Sequence, residues 1–133
     1  MLDSHELFDS ITMDTDIDRD RWSSAITALG NCQETVTACA GAMLMPGADL
    51  SDAITRDLDC ADVVQATARV LSRAIDMDHT LLSAQLEACV VACERSHELC
   101  SRHAEHHSHC RLCSETTKQC ADACRELLAA VHH

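Results

Sequence analysis

Along most of the chain the apolar positions recur at steps of three and four, the period of a helix with one buried face. From Arg19 to Met45 the series is Trp22, Ala25, Leu29, Cys32, Val36, Cys39 and Met43, and Pro46-Gly47 then breaks it. A second run, roughly Leu50 to Asp76, opens near the caps Asp49 and Ser51 and carries the stripe Ala53, Asp57, Cys60, Val64, Thr67, Leu71 and Ile75. A weaker break falls at Asp76-Met77-Asp78. The third run, about His79 to Glu105, carries Leu82, Leu86, Cys89, Cys93, Cys100 and His103. A polar HHSH stretch follows, with Ser108 as its expected N-cap, and a fourth run goes from about His109 to Val131.

Four such helices, each about 33–40 Å long at 1.5 Å per residue, joined by short links favour antiparallel neighbours. The expected fold is all-α, an antiparallel up-down-up-down four-helix bundle over residues 19–133. Residues 1–18 are acid-rich with scattered Leu2, Leu7, Phe8, Ile11 and Ile17, and predict a short helix or arm packed on the bundle. No strand pattern and no clean repeat competes.

Composition changes what the core must be. The 133 residues suffice for one domain, but there is one Phe, one Trp and no Tyr, against ten cysteines. Leu, Ile, Val, Ala and Cys must therefore fill the interior. The net charge of −12 argues against nucleic acid and anionic membrane surfaces as partners. No stretch of about 18 apolar residues is present to span a bilayer. The opening MLDSHELFDSITMDTDIDRD is acidic and lacks the basic and apolar regions of a secretory signal. The expected location is the cytoplasm, where thiols stay reduced and cysteines point to metal sooner than to disulfides.

The cysteine spacing is that of helix faces. At about 100° per residue, Cys110, Cys113, Cys120 and Cys124 share one narrow stripe, as do Cys89, Cys93 and Cys100, while Cys32 and Cys39 lie a heptad apart. Cys60 is alone on its helix. These are the leucine stripes, so the cysteines point inward. As small core hydrophobes ten are hard to justify, since alanine or valine would fill space without oxidation risk. Zinc ribbons need two CxxC pairs on turns, and only Cys110–Cys113 fits. The compact run of an iron–sulfur loop is absent, Ser114 stands where haem attachment needs histidine, and a di-iron bundle needs more than the single Glu94–His97 pair. Thiolates select Cu(I), and pairs three or four apart on a helix are close enough to share it. One Cu(I) per thiolate also leaves the core neutral, whereas zinc held by four thiolates keeps two negative charges. Copper alone uses all of Cys32, Cys39, Cys60, Cys89, Cys93, Cys100, Cys110, Cys113, Cys120 and Cys124.

The segments CVVACERSHELC (89–100), HCRLCSETTKQCADAC (109–124) and CQETVTAC (32–39) resemble the bacterial copper storage proteins, and the resemblance covers roughly residues 20–131. It implies a four-helix bundle filled with multiple Cu(I) ions, no enzymatic activity, the cytosolic branch of the family, and a homo-oligomer, by resemblance a tetramer. Helix two carries only Cys60, with Val64 and Thr67 where further cysteines could sit. Two rivals stay open. One is a thiol redox or electrophile-scavenging protein, with Cys110 beside His109 and Arg111 as its reactive thiol. The other is a zinc-binding structural or interaction module.

Topology also predicts where ions pass. One end of the bundle gathers Met43, Met45, His103, His106, His107 and His109, thioether and imidazole donors that accept copper. Cys39, Cys100 and Cys113 are expected about 7–11 Å below that end, and Cys32, Cys60, Cys93 and Cys120 about 16–21 Å below it. Leucines close the opposite end.

Overall fold

The computed structural model describes residues 6, 18–44, 51–73 and 77–131. Within them lie four helices: α1 (Arg19–Ala42), α2 (Ser51–Ser72), α3 (His79–His103) and α4 (Ser108–Val131). Each helix packs on its two neighbours in a ring, α1 on α2, α2 on α3, α3 on α4 and α4 on α1, while the backbones of the diagonal pairs stay more than 8 Å apart and meet only through side chains. This is the antiparallel four-helix bundle the periodicity predicts. The expected N-terminal arm except residues 6 and 18, the breaks at Pro46-Gly47 and Asp76, the cap Asp49, and Met45 and Ile75 lie outside the described residues.

The helix ends have local causes. The Asp18 side chain accepts from the Asp20 N–H and starts α1. Asp78 does the same for α3 by accepting from the Leu81 N–H at 3.0 Å, satisfying a donor the first turn leaves free. One expectation needs correcting. Ser108 is the first residue of α4 and not its cap, because the His107 carbonyl already accepts from the Cys110 and Arg111 N–H groups.

The buried residues follow an alternating step of three and four on every helix: Trp22, Ala25, Leu29, Cys32, Val36, Cys39, Met43 on α1, and Cys110, Cys113, Thr117, Cys120, Cys124, Leu127, Val131 on α4. That is the heptad seam of knobs-into-holes packing. Every cysteine occupies a seam position and is buried. The leucines Leu29, Leu71, Leu82, Leu86 and Leu127 are fully buried and close one end with Trp22. At roughly 1.5–3 kcal/mol per fully buried side chain, this end gives the bundle a core that owes nothing to metal. Between helices, Gln85 donates to Thr67 Oγ1 across α2 and α3, and Arg125 of α4 pairs with Glu94 of α3. No described helix is long and apolar enough to cross a membrane.

Candidate metal centre

The close sulfur contacts fall into two groups. The lower group is all thiol. Cys60 Sγ lies 3.9 Å from Cys32 Sγ and 3.8 Å from Cys93 Sγ. Cys93 also belongs to a second triplet with Cys89 and Cys120, whose sulfurs are all within 4.8 Å of one another. Cys124 Sγ, 3.7 Å from Cys89 Sγ, ends the column on the leucine side. Cys60, alone on its helix, is therefore the link between Cys32 of α1 and Cys93 of α3.

The upper group mixes donors. Cys39, Cys100, Cys113 and the Asp57 carboxylate come from four different helices, and their ligand atoms lie within 4.8 Å of one another. Cys100 and Cys113 Sγ are 3.3 Å apart, and they reach Asp57 Oδ1 at 3.4 and 3.5 Å. Above them Cys39 Sγ is 4.0 Å from Cys110 Sγ. His109 Nδ1 touches both, at 3.3 and 3.4 Å.

A layer without thiols separates the groups. Val36, Ser96 and Thr117 occupy the seam positions between the upper and lower cysteines of α1, α3 and α4, and all three are buried. Thr117 turns its hydroxyl to the Cys113 carbonyl at 2.8 Å, and Ser96 donates to Asp57 Oδ1 at 2.5 Å.

The ions' expected route is partly assembled. Met43 is buried at the end of α1, and His109 is half-buried against two thiols. His107 stacks beside His109 with ring centroids 5.2 Å apart. His103 is half-buried and His106 exposed, and neither makes a hydrogen bond to a cysteine among the described residues. Sequence reasoning weighted His103 and Met43; among the described residues the histidine within hydrogen-bond distance of cysteine sulfur is His109.

Asp57 was missed as a donor although it stood in the predicted stripe. A charged residue at a seam position was the available signal. Its side chain is fully buried, and Oδ2 has no hydrogen-bond partner among the described residues. Burial pushes the Asp57 carboxyl up to about 7, against the lowering effect of the Ser96 hydrogen bond. Among the thiols, hydrogen bonds from Cys113 and then Cys39 hold Cys100 down, while Cys39 and Cys113, facing Cys100, are raised. Cys32 and Cys89 are held down in the lower group, first of all by Cys120. Each group thus favours a thiolate solvated by neighbouring S–H donors, which an incoming cation replaces as protons leave.

A helical bundle whose seam is a column of thiols defines a class of protein that takes up soft metal ions in its core, many per chain, where a structural zinc protein holds one. The model of the copper storage protein family matches residues 18–129, and the chain belongs to that family, whose function is copper storage. The solved structures agree. The copper storage protein Ccsp of Streptomyces lividans, loaded with 10 copper equivalents, superposes with a TM-score of 0.91 at 40% identity, over 95% of this chain and 98% of that one. A histidine-to-alanine variant of Ccsp gives 0.85 at 41%, covering 88% and 99%. A cytosolic copper storage protein from the same organism, with five coppers, gives 0.80 at 43%, covering 83% and 93%. Comparison with curated proteins returns no match.

Proposed function

We propose that the protein stores and buffers Cu(I) in the cytosol, with all ten cysteines as ligands and residues 19–133 as the storage domain. The observation that supports this reading is the set of sulfur contacts of 3.3–4.0 Å between neighbouring helices, in which all four helices take part. Soft thiolates at that separation are shared between neighbouring Cu(I) ions, and one monovalent ion per thiolate keeps the buried column near neutral. The cytosolic setting agrees with the Streptomyces lividans relative described as cytosolic.

Ions pass in and out at the end that carries Met43 and His109. His107 lies beside His109, and His103 and His106 belong to the donor-rich end that the sequence predicts, to which the sequence also assigns Met45. The protein is not an enzyme. Its one candidate reactive thiol, Cys110, is fully buried, and burial pushes it up instead of toward the thiolate a nucleophile needs. Self-association, a tetramer by family resemblance, is in keeping with Leu44, Leu58, Leu81, Val91 and Leu112 on the outside.

The test is anaerobic titration of the reduced protein with Cu(I) against a competing chelator. On the order of ten ions per chain should be retained. Saturation at one or two Cu(I) overturns storage.

A further inference from the structure

Two apolar seams run along α3, and the bundle uses one of them. The inner seam, Leu82, Leu86, Cys89, Cys93, Ser96 and Cys100, is buried. The outer series Leu81, Ala84, Ala88, Val91 and Arg95 repeats the step of three and four and is exposed throughout. A second heptad series on one helix is a face built to receive another helix. With α2 this face forms a groove of about 770 Å³, to which Val63, Ala84, Ala88, Val91 and Ala92 give an apolar surface. Leu81 and Val91 are 52% and 51% exposed, and the short Ala84 and Ala88 side chains let a second helix axis come within about 8–10 Å.

The charges on the rim decide what fits. The groove between α3 and α4 is bridged by its own ion pairs: Arg125 holds Glu94 and Asp122, and Lys118 also holds Asp122. On the α2–α3 rim Arg56 pairs with Asp59 at 3.2 Å. Asp62, Glu87 and Arg95 line the same groove and have no ion-pair partner among the described residues. Open charges of both signs complement a copy of this surface better than any partner of one sign. Glu87 and Arg95 lie four residues to either side of Val91, about 6 Å along the helix in each direction. In an antiparallel pairing of α3 with its own copy about a two-fold axis at Val91, each Glu87 therefore faces Arg95 of the second copy, and the pair forms twice. The area is adequate. Two helices of 22 and 25 residues, side by side, present a face of roughly 700 Å², close to the ~800 Å² per partner of a stable interface.

We propose that the α2–α3 face is the surface by which the protein pairs with a second copy of itself, α3 against α3 and antiparallel, with Glu87–Arg95 ion pairs setting the register. The inference rests on the self-association proposed above and names its face. Pairing along the side of the bundle leaves the Met43/His109 end of each copy open and points the two ends in opposite directions.

Light scattering and sedimentation of the reduced full chain read the mass of the particle. Arg95→Glu sets Glu87 against a like charge twice over, and Glu87→Arg does the same with Arg95. Each single variant should halve the mass at a concentration where the natural protein is assembled. The double variant Glu87→Arg/Arg95→Glu restores opposite charges across the axis and should restore the natural mass. Both positions are exposed, so circular dichroism and the Cu(I) count should match the natural protein in all three variants. A natural protein that is monomeric overturns this proposal together with the self-association on which it rests. An assembled natural protein whose mass neither single variant changes overturns this face alone, and leaves it to another partner while self-association stands. Single variants that dissociate and a double variant that stays dissociated overturn the Glu87–Arg95 register, and with it the proposal.

Discussion

His109 Nδ1 stands 3.3 Å from the Sγ of Cys39, seventy residues away in the chain. One imidazole at the start of α4 thus reaches a thiol in the last turn of α1, and its half-buried ring spans the boundary between solvent and the sulfur column. An ion arriving at His109 is already within reach of two cysteines, since Cys110 is the other neighbour.

His109→Leu should therefore slow Cu(I) transfer from a chelator on the order of tenfold, the effect of about 1.4 kcal/mol on a barrier. The final ion count should fall by no more than one. His103→Leu should change the rate less, as no hydrogen bond joins His103 to a cysteine among the described residues. Stopped-flow transfer measured on both variants decides it, and equal rates would place the route elsewhere.

Asp57 sets a pH dependence for the metal-free protein. Its ordinary value of 3.8 rises to about 7 in the fold, so the folded state favours the protonated acid. Its contribution to stability is complete below 3.8 and is lost as pH climbs through about 7. The slope in that window is at most about 1.4 kcal/mol per pH unit. Asp57→Asn should melt above the natural protein at about pH 8, with the gap closing toward about pH 4. Reduced, metal-free thermal melts read this directly, and a gap that does not vary with pH would contradict it.

Chelation should leave the fold in place. The leucine end packs without any donor, so the reduced apo protein should keep its helical circular dichroism. Loading should then add stability, about 2.7 kcal/mol for each site held at a hundredfold excess over its Kd, and so raise the melting point. An unfolded apo protein would refute this.

The two ends should also separate under mutation. Leu82→Ala removes a fully buried side chain and should cost about 2–5 kcal/mol, with the Cu(I) count unchanged below the melting point. Cys93→Ser should do the reverse. Cys93 belongs to both lower triplets, so its loss should lower the count by more than one ion at little cost in stability. Denaturation and metal analysis of the same samples compare the two effects.

The helices and their inward faces were legible because the step of three and four is local information. Trp22 to Met43 reads as one seam in the sequence and packs as one. The depth order of the cysteines also follows from rise per residue. Contacts between helices were less accessible. That His109 and not His103 touches sulfur depends on where α4 begins: it starts one residue earlier than expected, at Ser108. Ser96 carried no signal of chemistry as a residue type. Its place midway between Cys93 and Cys100 on the seam would have marked it as buried, but its bond to Asp57 depends on α2 and α3 lying side by side.

The sulfur-free layer of Val36, Ser96 and Thr117 bears on time as well as space. An ion moving down the column by ligand exchange meets a new thiolate at each step until it reaches this layer, where none is offered on α1, α3 or α4. Crossing it should therefore be the slowest step in either direction. Copper above it should exchange quickly and follow the supply outside, while copper below it should arrive late and leave late. One chain would then hold two stocks with different lifetimes, set by three side chains without sulfur.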